Sequence, residues 1–237
     1  MMIIGIIPAR LKSNRLHEKP LQIIDNLTII EHTFLRAKLC KILDKVIVCT
    51  DSKIILNKIK KLKGECFFSK KKHRNGTERI NEFSIKKSKY KLVVDIQCDE
   101  VFLNPDHIEK LVKYHLKNFQ YDIIVPHSII KDGKNISKVK LVTDSSNKKV
   151  MYMSRHAIPF YEKNNFKKHL DFISFKPKSL NKFSLQNYSN IEKLESIELL
   201  RAIDMGLNVG TLKINTNQFS INTPKDLKLA KKIMKND

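Results

Sequence analysis

A chain of 237 residues with 41% hydrophobic side chains can bury one sizeable core, and its apolar runs are all too short to cross a bilayer. The formal charge of +22 is mostly lysine, since only seven of the 46 basic residues are arginine; the lysines are scattered, which argues for solvated faces rather than a nucleic-acid or membrane partner. Four cysteines without C-x-x-C spacing argue against a disulfide or zinc framework, and the lack of a basic, cleavable leader gives the expectation of a cytoplasmic protein.

Ile-Ile-Gly-Ile-Ile-Pro at 3–8 has the continuous apolar character of a buried parallel strand, closed by Pro8. A polar, basic loop follows, and residues 29–43 carry an approximate helical stripe. The alternation continues with strands at 45–50, 65–68 and 92–96 and helices at 54–62 and 77–87. Asn104-Pro105-Asp106 caps a helix to about residue 116, and 123–126 reads as the next strand. Strands that alternate with helices predict an α/β, Rossmann-like, mostly parallel sheet with right-handed crossovers. From about 127 to 190 the pattern changes to a hairpin at 138–143 and 149–154 and then to polar sequence, as in an inserted lobe or dimerisation arm of a single domain spanning 1–237. One helix over 191–205, a strand at 208–214 and a last helix opened by Thr223-Pro224-Lys225-Asp226 complete the chain.

Ligands of open parallel sheets bind beyond the carboxyl ends of the strands, so three loops become candidates. The first, residues 8–21, sets Arg10, Arg15, Lys19 and the Ser13 hydroxyl directly after a buried strand, where they could wrap a triphosphate. In the second, Gly76 of His73-Arg74-Asn75-Gly76-Thr77-Glu78-Arg79 permits close backbone approach and Thr77 can cap the helix behind it. The third, Gln97-Cys98-Asp99-Glu100, ends a buried strand in adjacent carboxylates suited to hold Mg²⁺ against phosphates. Taken singly, each loop is equally compatible with a solvated turn or a helix cap.

Taken together, the loops resemble the signature motifs of the 3-deoxy-manno-octulosonate (Kdo) cytidylyltransferases. Residues 6–21 resemble I-P-A-R-x-x-S-x-R-L-P-G-K-P-L, 73–79 resemble H-x-S-G-T-E-R, and 96–100 resemble V-Q-G-D-E-P. Further on, 152–159 resemble Y-F-S-R-A-x-I-P, 168–170 the start of R-H-x-G-I-Y, 194–206 L-E-x-x-E-x-L-R-A-L-E-x-G and 221–227 V-D-T-P-E-D-L. Six of the seven arginines fall on motif positions, as if lysine replaced arginine wherever the planar guanidinium fork was dispensable.

The resemblance implies CTP-dependent activation of an acidic sugar, with release of pyrophosphate. It implies catalytic roles for Arg10, Lys19 and Asp99, and a nucleotide pocket of Ala9, Arg10, Ser13, Arg15, Lys19, Arg74, Asn75, Gly76, Thr77, Gln97 and Cys98. Arg155, His169 and Glu198 match sugar-site positions, while Asp99 and Asn222 match the Mg²⁺ ligands. A homodimer is implied as well. The chain departs from the pattern at Glu18, where glycine is expected and a preorganised turn should be lost, and at Cys98 in place of glycine. Asn222 stands for the second metal-binding aspartate, and Ile173 and Leu199 are apolar where the pattern is polar. Those changes leave open a different sugar acid or a phosphonate as substrate, or a nucleotide-binding homologue with weakened catalysis.

Overall fold

The computed structural model describes residues 2–13, 16–86 and 90–235. Two compact units divide the chain: Met1–Glu109 together with Asn217–Asp237, and Lys110–Thr216.

The first unit opens with β1 (Met2–Ala9), buried from Ile3 onward as a strand covered on both faces must be. A 3-10 turn at Lys19–Leu21 leads into a minimal hairpin of β2 (Ile23–Ile24) and β3 (Leu27–Thr28), too short for any sequence periodicity to announce. α1 (Ile29–Lys38) starts from a capping box formed by Thr28 and Glu31. It ends earlier than the apolar stripe suggests: Leu39 is 66% exposed, and residues 39–43 turn back toward the sheet instead of extending the helix. The order continues as β4 (Lys45–Thr50), α2 (Lys53–Lys61), β5 (Glu65–Phe68), α3 (Gly76–Lys86) and β6 (Tyr90–Ile96); α4 (Pro105–Lys117) then carries the chain across the boundary into the second unit. The four long strands run parallel in the order β5-β4-β1-β6, in a register that sets Ala9 beside Thr50 and Asp95 beside Ile6. The carboxyl ends of β1, β4 and β6 therefore share one rim of the sheet.

The second unit is built on β7 (Ile123–Ile130). Its later elements are β8 (Lys140–Thr143), β9 (Val150–Ser154), β10 (Phe166–His169), β11 (Phe172–Phe175), α5 (Pro177–Leu185), α6 (Asn190–Glu195), α7 (Leu199–Asp204) and β12 (Val209–Lys213). β12 pairs parallel with β7, whereas β10 and β11 pair antiparallel with it and β8 and β9 extend the ladder beyond β10. The single helix expected over 191–205 is two helices, because Ser196 takes a left-handed φ of 52° and ends α6. Between them a guanidinium is fully enclosed. Arg201 Nε lies 3.4 Å from Glu192 and Nη2 3.1 Å from Glu198, Nη1 donates to the Gln186 carbonyl at 2.9 Å, and the Phe183 ring lies 4.5 Å away.

The second unit also buries two neutral histidines. His115 Nε2 must donate to the Tyr121 carbonyl at 3.2 Å, so its Nδ1 accepts from Ser174 at 2.7 Å. Thr211 gives its own proton to the Val125 carbonyl, so His127 Nδ1 donates to the Thr211 hydroxyl at 2.7 Å. Burial pushes both imidazoles down to about 4 from an ordinary 6.5. The unfolded chain then binds protons at a higher pH than the folded one, so this stabilisation is complete above pH 6.5 and is lost as the pH falls toward 4. The expected loss is on the order of 3 kcal/mol per histidine at the acid end of that window. Urea unfolding midpoints at pH 7 and pH 4.5 measure it; equal midpoints would mean that these imidazoles titrate normally.

From the second unit the chain returns to the first through α8 (Pro224–Met234), which starts from a Thr223–Asp226 capping box. Leu16, Ile24, Ile29, Val101, Ile221 and Ala230 form one buried cluster, with Phe102 and Phe219 against it at 5.2 Å between ring centres. Non-directional apolar burial of this kind fixes the end of the first loop and the returning segment in place. Among the described residues no helix is long and apolar enough to cross a membrane.

Candidate functional site

At the shared rim of the first unit, Lys19 Nζ lies 2.5 Å from Asp99 Oδ2 and 3.5 Å from Asn222 Oδ1. The three residues come from the first loop, the end of β6 and the approach to α8. Side-chain exposure is only 14% for Lys19 and 9% for Asp99, so the pair is little screened by water. Two oxygens on one cation are the donor set that Mg²⁺ shares with phosphates and water, and the residues present fit that ion. Glu100, the neighbour of Asp99, faces elsewhere: Gln218 and Ser220 both donate to it, and the Ile221 N–H donates to the Asp99 carbonyl at 3.2 Å. Glu100 thus holds the returning segment that carries Asn222.

The turn before Lys19 survives its departure from the family pattern. Glu18 adopts φ 43° and ψ 42°, the conformation a glycine would take freely, and its carbonyl accepts from the Leu21 N–H at 2.8 Å. A residue with a Cβ loses on the order of 1 kcal/mol there. The surroundings outweigh that cost, since Leu16 and Pro20 on either side are buried. Arg10 is exposed at the end of β1, Ser13 is half-buried, and Arg15 lies outside the described residues.

The second loop is fastened to α3 and to β1. The Asn75 amide oxygen accepts from the Glu78 N–H at 2.9 Å, Arg74 pairs with Glu78 through its side chain and main chain, and Thr77 is buried. A Cβ on Gly76 would meet the Pro8 ring at 3.2 Å, tight enough that the ring or the loop would have to give by a few tenths of an ångström. Arg79 completes the tie: it donates to the Ala9 carbonyl at 2.8 Å and to Asp51 at 2.7 Å, with 5% of its side chain exposed. Behind the loop, Glu82 receives the Ser69 hydroxyl and lies 3.0 Å from His73 Nε2, while burial and Arg79 depress the His73 pKa. Sequence reasoning assigned no role to Arg79, Asp51 or Glu82; the signal for Arg79 was its place among the motif arginines.

At the end of β6, the Gln97 amide lies against Asp95, and the Cys98 carbonyl accepts from the Thr33 hydroxyl at 2.9 Å. Burial, reinforced by Asp99, pushes the Cys98 thiol up to about 12, so it stays protonated and is no nucleophile.

Arg155, His169 and Glu198 all lie in the second unit. Ser154, Lys140 and Lys168 stand side by side across β9, β8 and β10, so Arg155 and His169 follow at the same end of that ladder. Arg155 donates to the Ile136 and Ser196 carbonyls at 3.1 and 3.0 Å. His169 Nδ1 lies 3.6 Å from Asp171, and burial lowers its pKa. Glu198 is held by Arg201, and the acid beside Arg155 is Glu195. It accepts from the Arg155 N–H at 3.2 Å, Ser154 at 2.9 Å and Tyr152 at 3.1 Å. Lys140 is fully buried and donates to the carbonyls of Asn135, Lys138 and Arg155. Ile173 and Leu199 are buried, so both apolar replacements sit among core side chains.

Residues 4–213 match the family model described as Cytidylyltransferase. The chain is 35% identical to the 3-deoxy-manno-octulosonate cytidylyltransferase of Rickettsia akari (strain Hartford), over 98% of this chain and 94% of that one. It is 32% identical to the enzyme of the same name from Fusobacterium nucleatum, over 96% and 94%. Among solved structures, a CMP:2-keto-3-deoxy-manno-octonic acid synthetase complexed with CTP superposes with a TM-score of 0.93 at 25% identity, covering 100% of this chain and 99% of the other.

Proposed function

The chain belongs to the cytidylyltransferase family, and from that premise we propose that it transfers CMP from CTP to the acidic sugar 3-deoxy-manno-octulosonate. The observation that carries this reading is the meeting of Lys19, Asp99 and Asn222 at the carboxyl rim of a parallel sheet, across 80 and 203 residues of sequence. The sugar's anomeric hydroxyl attacks the α-phosphorus in line, forming a new P–O bond, and the bond to pyrophosphate breaks. No covalent enzyme intermediate is needed, because positioning and charge neutralisation supply the rate. Lys19 and Arg10 place positive charge where the triphosphate gains negative charge. Arg79, through the Ala9 carbonyl, fixes the backbone from which Arg10 departs.

Mg²⁺ is proposed with Asp99 and Asn222 as its protein oxygens; when bound it would neutralise phosphate oxygens as a Lewis acid. Among the described residues no group of three or more His, Cys, Asp or Glu side chains could hold a metal, so the remaining ligands would be phosphates and water. Asn222 coordinates without the charge of an aspartate. Arg155 is proposed to pair with the sugar carboxylate, with His169 and Glu198 in supporting roles. A homodimer in the cytoplasm completes the proposal on the strength of the family resemblance.

Incubation with CTP, Mg²⁺ and 3-deoxy-manno-octulosonate is expected to release pyrophosphate, and excess chelator to abolish the release. Release from other sugar acids but not from this one would transfer the reading to another substrate. Undiminished release in chelator would remove the metal from it.

A further inference from the structure

The Gln97 amide nitrogen lies 3.1 Å from Asp95 Oδ1 and 3.0 Å from Oδ2. An atom that straddles both oxygens of a carboxyl group at near-equal distance is a donor, since a carbonyl oxygen there would face two oxygens. The NH₂ of Gln97 therefore points at Asp95 and its amide oxygen points away. A glutamine without such a neighbour can turn either end toward a ligand. This one has its NH₂ held by Asp95 and its acceptor turned outward.

Asp95 is well placed to enforce that choice. It is the penultimate residue of β6, 3% exposed, and held in register against Ile6 of β1. Gln97 is the first residue beyond the strand and only partly buried, and among the described residues no donor is paired with its amide oxygen. Two residues further on, Asp99 meets Lys19 at the phosphate end of the site.

We infer that Asp95 is a positioning residue that fixes the Gln97 amide as a hydrogen-bond acceptor toward the nucleotide, so that the site selects a nucleotide presenting a donor at that point. This rests on the CTP reading above. The donor is either the exocyclic amine of cytosine, which uracil replaces with a carbonyl oxygen, or a ribose hydroxyl. A site built around a fixed acceptor penalises a ligand that brings another acceptor, or nothing, because the bound ligand then covers a polar atom that goes unpaired.

The test is calorimetric titration of the full chain with CTP, UTP and 2′-deoxy-CTP. Wild type is expected to prefer CTP over at least one analogue by about tenfold or more, the scale of one hydrogen bond to a built partner. In Asp95→Ala, where nothing holds the amide, that preference is expected to shrink to within about threefold. Collapse of the CTP/UTP ratio assigns the base amine, and collapse of the CTP/2′-deoxy-CTP ratio assigns the ribose hydroxyl. Both ratios unchanged in Asp95→Ala, or no preference in wild type, would overturn the inference. Should Asp95→Ala not fold, Gln97→Met keeps the length, removes the acceptor, and must give the same collapse; an unchanged ratio there is equally fatal. A purely structural role for Asp95 would lower stability and weaken all three nucleotides in proportion. Pyrophosphate release with unchanged ratios sinks this inference alone; absence of release sinks the functional reading, and absence of CTP binding sinks both.

Discussion

Lys19→Ala is expected to lower pyrophosphate release by roughly a hundredfold or more, the scale of one transition-state charge contact. The ammonium is 2.5 Å from Asp99, and both are shielded from solvent, so its removal changes the site in two ways. On the proposed function the phosphates would lose a cation whose hold tightens as charge develops, and Asp99 would lose the ion pair that Lys19 gives it. Turnover under saturating CTP separates these effects: the lost transition-state contact lowers kcat, whereas a disturbed ground state raises KM. A rate within a few-fold of wild type would mean that Lys19 only neutralises Asp99 and takes no part in the chemistry.

Arg201→Met is expected to destabilise the fold by about 3–5 kcal/mol, the cost of breaking an enclosed ion pair by deleting one partner. The guanidinium is fully buried between Glu192 and Glu198, donates to the Gln186 carbonyl and lies against Phe183. Methionine fills much of the volume but leaves the Glu192 carboxylate, 6% exposed, without that counter-charge. Denaturant unfolding followed by circular dichroism measures the loss. A change below about 1 kcal/mol would place this cluster with solvated surface pairs, whose worth is of that order.

The first unit was largely legible in the sequence because its signals are local. Buried parallel strands declare themselves as apolar runs, and 45–50 and 65–68 coincide with β4 and β5. Lys19 and Asp99 were named before their meeting could be known because loops after parallel strands are where ligands bind, and Asn222 because its motif resembles that of the family. What stayed hidden depends on tertiary contact. β10 is polar and β11 an apolar run of only four residues, so neither shows a two-residue alternation long enough to stand out. The break at Ser196 has no glycine or proline to mark it. Asp95 lies inside the strand expected at 92–96, and its contact with the Gln97 amide is a tertiary detail that the strand pattern does not announce. Glu198 matches the sugar-site position of its motif, but spacing cannot reveal that Arg201 takes it while Glu195, in the same motif, meets the Arg155 N–H.

The first unit is closed by residues that arrive last. As the chain leaves the ribosome, β1, β4, β5 and β6 are all available once residue 96 has emerged, and their pairing needs nothing further along. Asn222 meets Lys19 across 203 positions, and the whole second unit must be synthesised in between. Such a long loop carries a high entropic cost of closure, which grows only slowly with length once it is large. A nascent chain can therefore pair these four parallel strands while Lys19 and Asp99 still await their third member.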